Sequence, residues 1–191
     1  MLAIFALQAI HPLLASQTLV PLPDLLLGDL IDTPIAVLAP IIMVAMVQVV
    51  LDTDEGDRIA CPLVRFHLFD VGLLVALATV GLLSGLVGSW LMDSSAHLIW
   101  ARNSLIYLGL ACVSRAIGAT RAMSAGPLLA GMAVVLFGRV QTGEPSAWAL
   151  TLHSPDTATS VGLAVAIFLV GASITAAQPP HNSRFVSKRL R

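Results

Sequence analysis

From Val71 to Met92 the chain carries no formally charged residue, and the run from Ala158 to Gln178 carries none either. A bilayer core is ~30 Å thick, and a helix needs about 20 mainly apolar residues to cross it. Within hydrocarbon each backbone amide must be satisfied by protein, so an apolar run of this length is a helix. Pro34–Leu51 forms a third such run, with Gln48 as its only strongly polar residue. The pair Pro179-Pro180 ends the Ala158–Gln178 helix, because proline lacks an amide donor and clashes with the preceding turn.

These runs predict an all-α, polytopic transmembrane helix bundle. About six helices are expected, near residues 2–20, 34–51, 71–92, 103–116, 124–138 and 158–178, within one integral membrane domain covering 1–191. Composition points the same way. Hydrophobic residues make up 57% of the chain and charged ones 11%, whereas a soluble domain carries about 25% charged residues. Too few polar groups are present to coat a soluble globule, but a bilayer removes that requirement.

Two segments need separate argument. Residues 1–20 are apolar, yet no Lys or Arg precedes them and His11-Pro12 interrupts them; a membrane helix kinked at Pro12 fits better than a cleaved leader. Between Asn103 and Gly138 the apolar pieces are short and flank SRAIGATRAMSAG, which carries Arg115 and Arg121. Either two helices snorkel arginines to the surface or the piece is a re-entrant hairpin. Two full crossings are expected.

Orientation follows from Lys and Arg. With the N-terminus in the cytoplasm, the inner segments carry Arg58, Arg65, Arg115, Arg121, Arg184, Lys188, Arg189 and Arg191, and the outer ones only Arg102 and Arg139. Trp90, Trp100 and Trp148 then fall at outer helix ends, where amphipathic rings prefer to sit. Both termini are therefore expected in the cytoplasm, with 179–191 a basic cytoplasmic tail. The outer segment Pro21–Thr33 spaces Asp24, Asp29 and Asp32 among leucines; an amphipathic piece along the interface and an ordinary loop both fit.

Motifs for chemistry are scarce. No phosphate-binding G-x-x-x-x-G-K-[ST] loop, H-E-x-x-H or G-x-S-x-G elbow occurs. Cys61 and Cys112 lack C-x-x-C spacing, and the five histidines are scattered, so no metal or other cofactor is expected. No basic run interleaved with aromatics suggests nucleic acid. The most plausible nucleus for an intramembrane enzyme is Arg102, Asn103 and His153 at the outer surface, and an enzyme is not expected. Helix midplanes offer only Gln48, Thr79, Ser84 and Ser173, which disfavours an ion-coupled carrier. Gly81 and Gly85 form a GxxxG that lets helices approach closely. The inner segment Asp52–Asp70 mixes acids with arginines, and Asp54, Glu55, Asp57, Arg58 and Arg65 are candidates for a partner-docking loop, a solvated loop being the plainer reading.

The order of several short features resembles membrane subunits of ABC-type export systems from bacteria. These are VPLPDLL, then VRFHLFDVGLL, then Ala101-Arg102-Asn103 leading to Tyr107-Leu108-Gly109-Leu110, Pro127, and Trp148-x-Leu150-x-x-His153. The resemblance implies a permease subunit in the bacterial plasma membrane, working with a separate nucleotide-binding chain. It departs from that family in having no long coupling helix before the first membrane helix. A non-transporting accessory or scaffold subunit, in a homo- or hetero-oligomer, is the alternative expectation.

Overall fold

The computed structural model describes residues 19–53, 66–118, 123–140, 142–153 and 158–177. Strands β1 (Leu19–Asp24) and β2 (Asp29–Pro34) form an antiparallel hairpin, followed by a 3-10 turn, Ile35–Val37. Five α-helices follow among the described residues: α1 (Ala39–Thr53), α2 (Phe66–Met92), α3 (Ala96–Gly118), α4 (Ala125–Phe137) and α5 (Ala158–Ala177). Three of them, α2, α3 and α5, are long and apolar enough to cross a membrane.

Side-chain neighbours fix the helix directions. Ala101 of α3 meets Gly85 and Arg115 meets Asp70, so α2 and α3 are antiparallel. On α4, Gly126 abuts Ser114 and Gly131 lies near Tyr107, which makes α4 antiparallel to α3. Gly131 also meets Leu38 and Ile41, while the Ser124 amide reaches Gln48, so α1 opposes α4. Gly109 packs on Ile167, and Thr175 bonds the Cys112 carbonyl, so α5 runs parallel to α3. Three helices therefore run one way and two the other. The hairpin, the α2–α3 turn and the segment after α4 share one end of the bundle.

Helix α3 occupies the centre. It is the least apolar of the three long helices, yet 72% of its most apolar stretch is buried, against 33% for α2 and α5. Leu105, Ile106, Tyr107, Leu108, Ala111 and Cys112 are all buried, on every side of the helix. Around them pack Met43, Val44, Val47 and Leu51 of α1, Leu74, Leu77 and Ala78 of α2, and Ala164, Phe168 and Ala172 of α5, each set a stripe at helical spacing. Large apolar residues meanwhile cover the outside, among them Leu86, Leu91, Leu129 and Leu169. Polar helix inside and apolar faces outside is the arrangement a lipid solvent favours.

Close packing uses small residues. Gly81, Gly85 and Gly88 are buried on one face of α2, and a Cβ on Gly85 would stand 2.5 Å from the Ala101 Cβ. The α3–α5 contact is comparably tight. A Cβ on Gly109 would lie 2.7 Å from the Ile167 carbonyl oxygen, and one on Gly171 would press on the Gly109 carbonyl. Such approach multiplies van der Waals contact, which drives helix association where no hydrophobic force separates helix from lipid.

Several boundaries differ from those the sequence predicts. The expected 103–116 helix begins at Ala96 instead, taking Arg102 and Asn103 inside it. The 34–51 segment divides into a 3-10 turn and α1. Within 103–138, α3 has spanning length, but α4, at 13 residues, is about 20 Å long, short of the bilayer core. The fold is not purely α-helical, because Pro21–Thr33 lies in a β-hairpin. Pro21 and Pro23 face Asp32 and Leu30 across it, tolerable because a two-stranded sheet leaves each strand an unpaired edge. The apolar segment 2–18, the candidate docking residues Asp54, Glu55, Asp57, Arg58 and Arg65, and the tail 179–191 lie outside the described residues.

Filling the α3–α5 seam should be costly. Gly171→Val is expected to destabilise the bundle by about 1–3 kcal/mol, the usual penalty for overpacking. Gly162→Val, on an exposed stretch of α5 with open space at the Cβ, should change little. Thermal unfolding in detergent distinguishes the two.

Candidate functional site

The densest set of buried polar groups lies where α3 meets the segment returning from α4. After α4 the chain turns through Gly143, which holds a φ of +84°, and through a bridge between Arg139 and Pro145. It then folds back into the bundle, so that Ala149 and Thr151 are buried and Leu150 packs on the core. This returning stretch is not helical; its own turns bond the Ser146, Trp148 and Ala149 carbonyls, and side chains of α3 bond those of Thr151 and His153.

Arg102, 1% exposed, supplies three bonds. Its Nη1 donates to the His153 carbonyl at 2.6 Å, its Nη2 to the Thr151 carbonyl at 2.9 Å, and its Nε to Asn103 Oδ1 at 3.1 Å. Asn103 Nδ2 donates to the same Thr151 carbonyl at 3.2 Å. The planar guanidinium, with donors in a fixed fork, suits two neighbouring carbonyl oxygens. Among the described residues no carboxylate pairs with it.

The trio that the sequence offers as an enzyme nucleus is thus gathered in one place, with Arg102 and Asn103 taking part through their side chains. His153 takes part through its backbone carbonyl. Its imidazole Nε2 lies 2.9 Å from the Ser146 carbonyl, within the same segment. Nearby, the Tyr107 hydroxyl lies beside Thr151 without a well-formed hydrogen bond to it. His97, fully buried against Gly88, has no hydrogen-bond partner for either ring nitrogen among the described residues. The arrangement is a clamp that holds irregular backbone inside a helical bundle.

A second charged contact closes the opposite end. Arg115 Nη2 reaches Asp70 Oδ2 at 2.5 Å, tying the last turns of α3 to the first turns of α2. At that end, too, Gln48 Oε1 of α1 accepts the Ser124 amide at 2.9 Å and caps α4, whose own Ser124 side chain makes no cap bond. Between the 3-10 turn, α1 and α4 lies an apolar cavity of about 380 Å³, bordered by Ile35, Leu38, Ile42, Leu128, Gly131 and Leu136. Among the described residues no group of three His, Cys, Asp or Glu side chains could hold a metal ion.

Of the residues singled out from the sequence, Gly81 and Gly85 lie on the buried face of α2, while the candidate docking residues fall outside the described stretches. The clamp partners in Thr151, and the roles of Gly109 and Gly171, had no motif to announce them. Bundle, seams and polar interior together define a helical membrane protein. Comparison with protein-family models, with curated proteins and with solved structures returns no match.

Two expected outcomes test the clamp and the ion pair. Arg102→Leu removes the donor to the part-buried His153 carbonyl and leaves Thr151 with Asn103 alone, at about 1–3 kcal/mol for a group left unsatisfied. It should therefore speed hydrogen exchange at 149–153 more than elsewhere. At the other end, Asp70→Leu strands a largely buried cation, its side chain 13% exposed, and is expected to cost up to about 3–5 kcal/mol, more than the double change Asp70→Leu/Arg115→Leu. A double loss equal to the sum of the Asp70→Leu and Arg115→Leu losses would show that the pair is not coupled.

Proposed function

We propose that the chain is a membrane-embedded, non-catalytic subunit of a larger assembly in the bacterial plasma membrane, acting as a scaffold or accessory to partner proteins. The observation that carries this reading is how the bundle uses its polar groups. Arg102 and Asn103 hold the returning segment, Asp70 and Arg115 hold each other, and Gln48 caps α4. The charged side chains described inside the bundle, Arg102, Asp70 and Arg115, are thus committed to holding the fold. The outer faces of α2 and α5, by contrast, present exposed apolar residues to lipid or to other membrane helices.

The topology adopted is a cytoplasmic C-terminus. Thr53, Phe66, Gly118, Ala125 and Ala177 end or begin elements at one end of the bundle. Arg115 sits there, and the connecting sequence holds Arg58, Arg65, Arg121 and the basic tail. The other end bears Arg102 and Arg139. That division satisfies the positive-inside bias.

A second reading, the permease subunit of an ABC-type exporter with its ATPase on another chain, draws support from the open apolar cavity beside the short helix α4. A broken or short helix next to a cavity is where transporters commonly bind cargo. Both readings require a partner. Purification in mild detergent should recover the chain with other proteins, and Asp54→Lys/Glu55→Lys/Arg58→Glu should weaken that association. A solitary, monodisperse, stable protein would overturn both. Proteoliposomes holding the partner, with and without this chain, separate them. ATP-driven flux that needs the chain selects the permease, and flux without it the accessory role.

A further inference from the structure

The hairpin turn has the composition of a lipid-facing surface. Turns in water favour Gly, Pro, Asn, Asp and Ser, but this one reads Leu25-Leu26-Leu27-Gly28. Leu25 and Leu26 are 60% and 54% exposed, and Leu30 just beyond is 64% exposed.

The backbone supplies an independent observation. The Leu26 and Leu27 amides both donate to Asp24 Oδ1, at 2.9 and 3.2 Å. The Gly28 amide donates to the Asp24 carbonyl at 2.8 Å, and the Leu25 amide to the Leu136 carbonyl at 3.0 Å. Every amide of the turn is therefore bonded within the protein. Water would satisfy these groups without help, whereas hydrocarbon cannot, so internal satisfaction is what a lipid-embedded turn requires. Gly28, at a φ of +68°, permits the tight return.

Position agrees with composition. Leu136 belongs to the last turn of α4, whose Leu129 and Met132 are exposed apolar residues, and the leucine tip adjoins that helix. Trp90 and Trp148, both exposed, lie toward the same end of the bundle, where an interfacial aromatic belt is expected.

We propose that the Leu25–Leu26 tip inserts into the acyl region of the leaflet at this end, with the exposed Asp29 and Asp32 held at headgroup level. The occupant of this surface is lipid. The inference rests on the membrane reading of the bundle, and its test separates the two.

Nitroxide labels are attached to Leu26→Cys, Leu129→Cys and Glu144→Cys, each in a Cys61→Ser/Cys112→Ala background reconstituted in lipid nanodiscs. Collision with oxygen is compared with collision with a water-soluble nickel chelate. The oxygen-to-nickel ratio at Leu26 is expected to match that at Leu129 and to exceed that at Glu144 several-fold. A ratio at Leu26 as low as at Glu144, with Leu129 still lipid-like, overturns the insertion and spares the membrane reading. A label at Leu26 shielded from both reagents also overturns it, since protein and not lipid would then cover the tip. Water-like ratios at Leu26 and Leu129 together overturn the membrane reading itself.

Discussion

Backbone that leaves a helix inside a bilayer must bring its own hydrogen-bond partners, and the polar side chains of this bundle are placed to provide them. Arg102 and Asn103 reach across to the Thr151 and His153 carbonyls, where the chain re-enters the bundle without helical bonding. Gln48 does the same for the first amide of α4, and Asp24 for two amides of the hairpin turn. The last two devices sit at the end of an element, where intrahelical or ladder bonding runs out.

Placing the most polar long helix in the centre follows from the same requirement. A guanidinium facing lipid is expensive; facing carbonyls of its own protein, it is bonded three times. Burial of α3 on every side then depends on how closely its neighbours approach. Gly109 and Gly171 bring α5 within contact of the α3 backbone, and Gly85 and Gly88 admit Ala101 and His97 on the α2 side. The Asp70–Arg115 pair keeps the far ends of α2 and α3 in register. Spending Arg102, Asp70 and Arg115 on internal contacts is the physical basis for the proposal that the bundle is a subunit supporting partners.

The long helices α2 and α5 could be read directly from the sequence, because their uncharged runs have the length of a bilayer and nothing interrupts them. The start of α3 could not. Arg102-Asn103 looks like a boundary to any argument based on apolar runs, and it is interior only because Thr151 and His153, some fifty positions later, satisfy it. The hairpin was obscured for a related reason. Its prolines and aspartates suggest a loop, whereas pairing of Leu19 with Pro34 and the Asp24-capped turn turn the same residues into a small sheet.

Sequence alone determined that this chain holds helices long and apolar enough to cross a membrane, since transfer of uncharged runs into hydrocarbon is a local property of composition and length. It also set which segments carry the positive charge. Tertiary structure alone decided which helix lies at the centre, which glycines become contacts, and that Arg102 holds a returning segment. Those outcomes depend on pairings between residues far apart in the chain, and a local pattern of hydropathy holds no information about its distant partner.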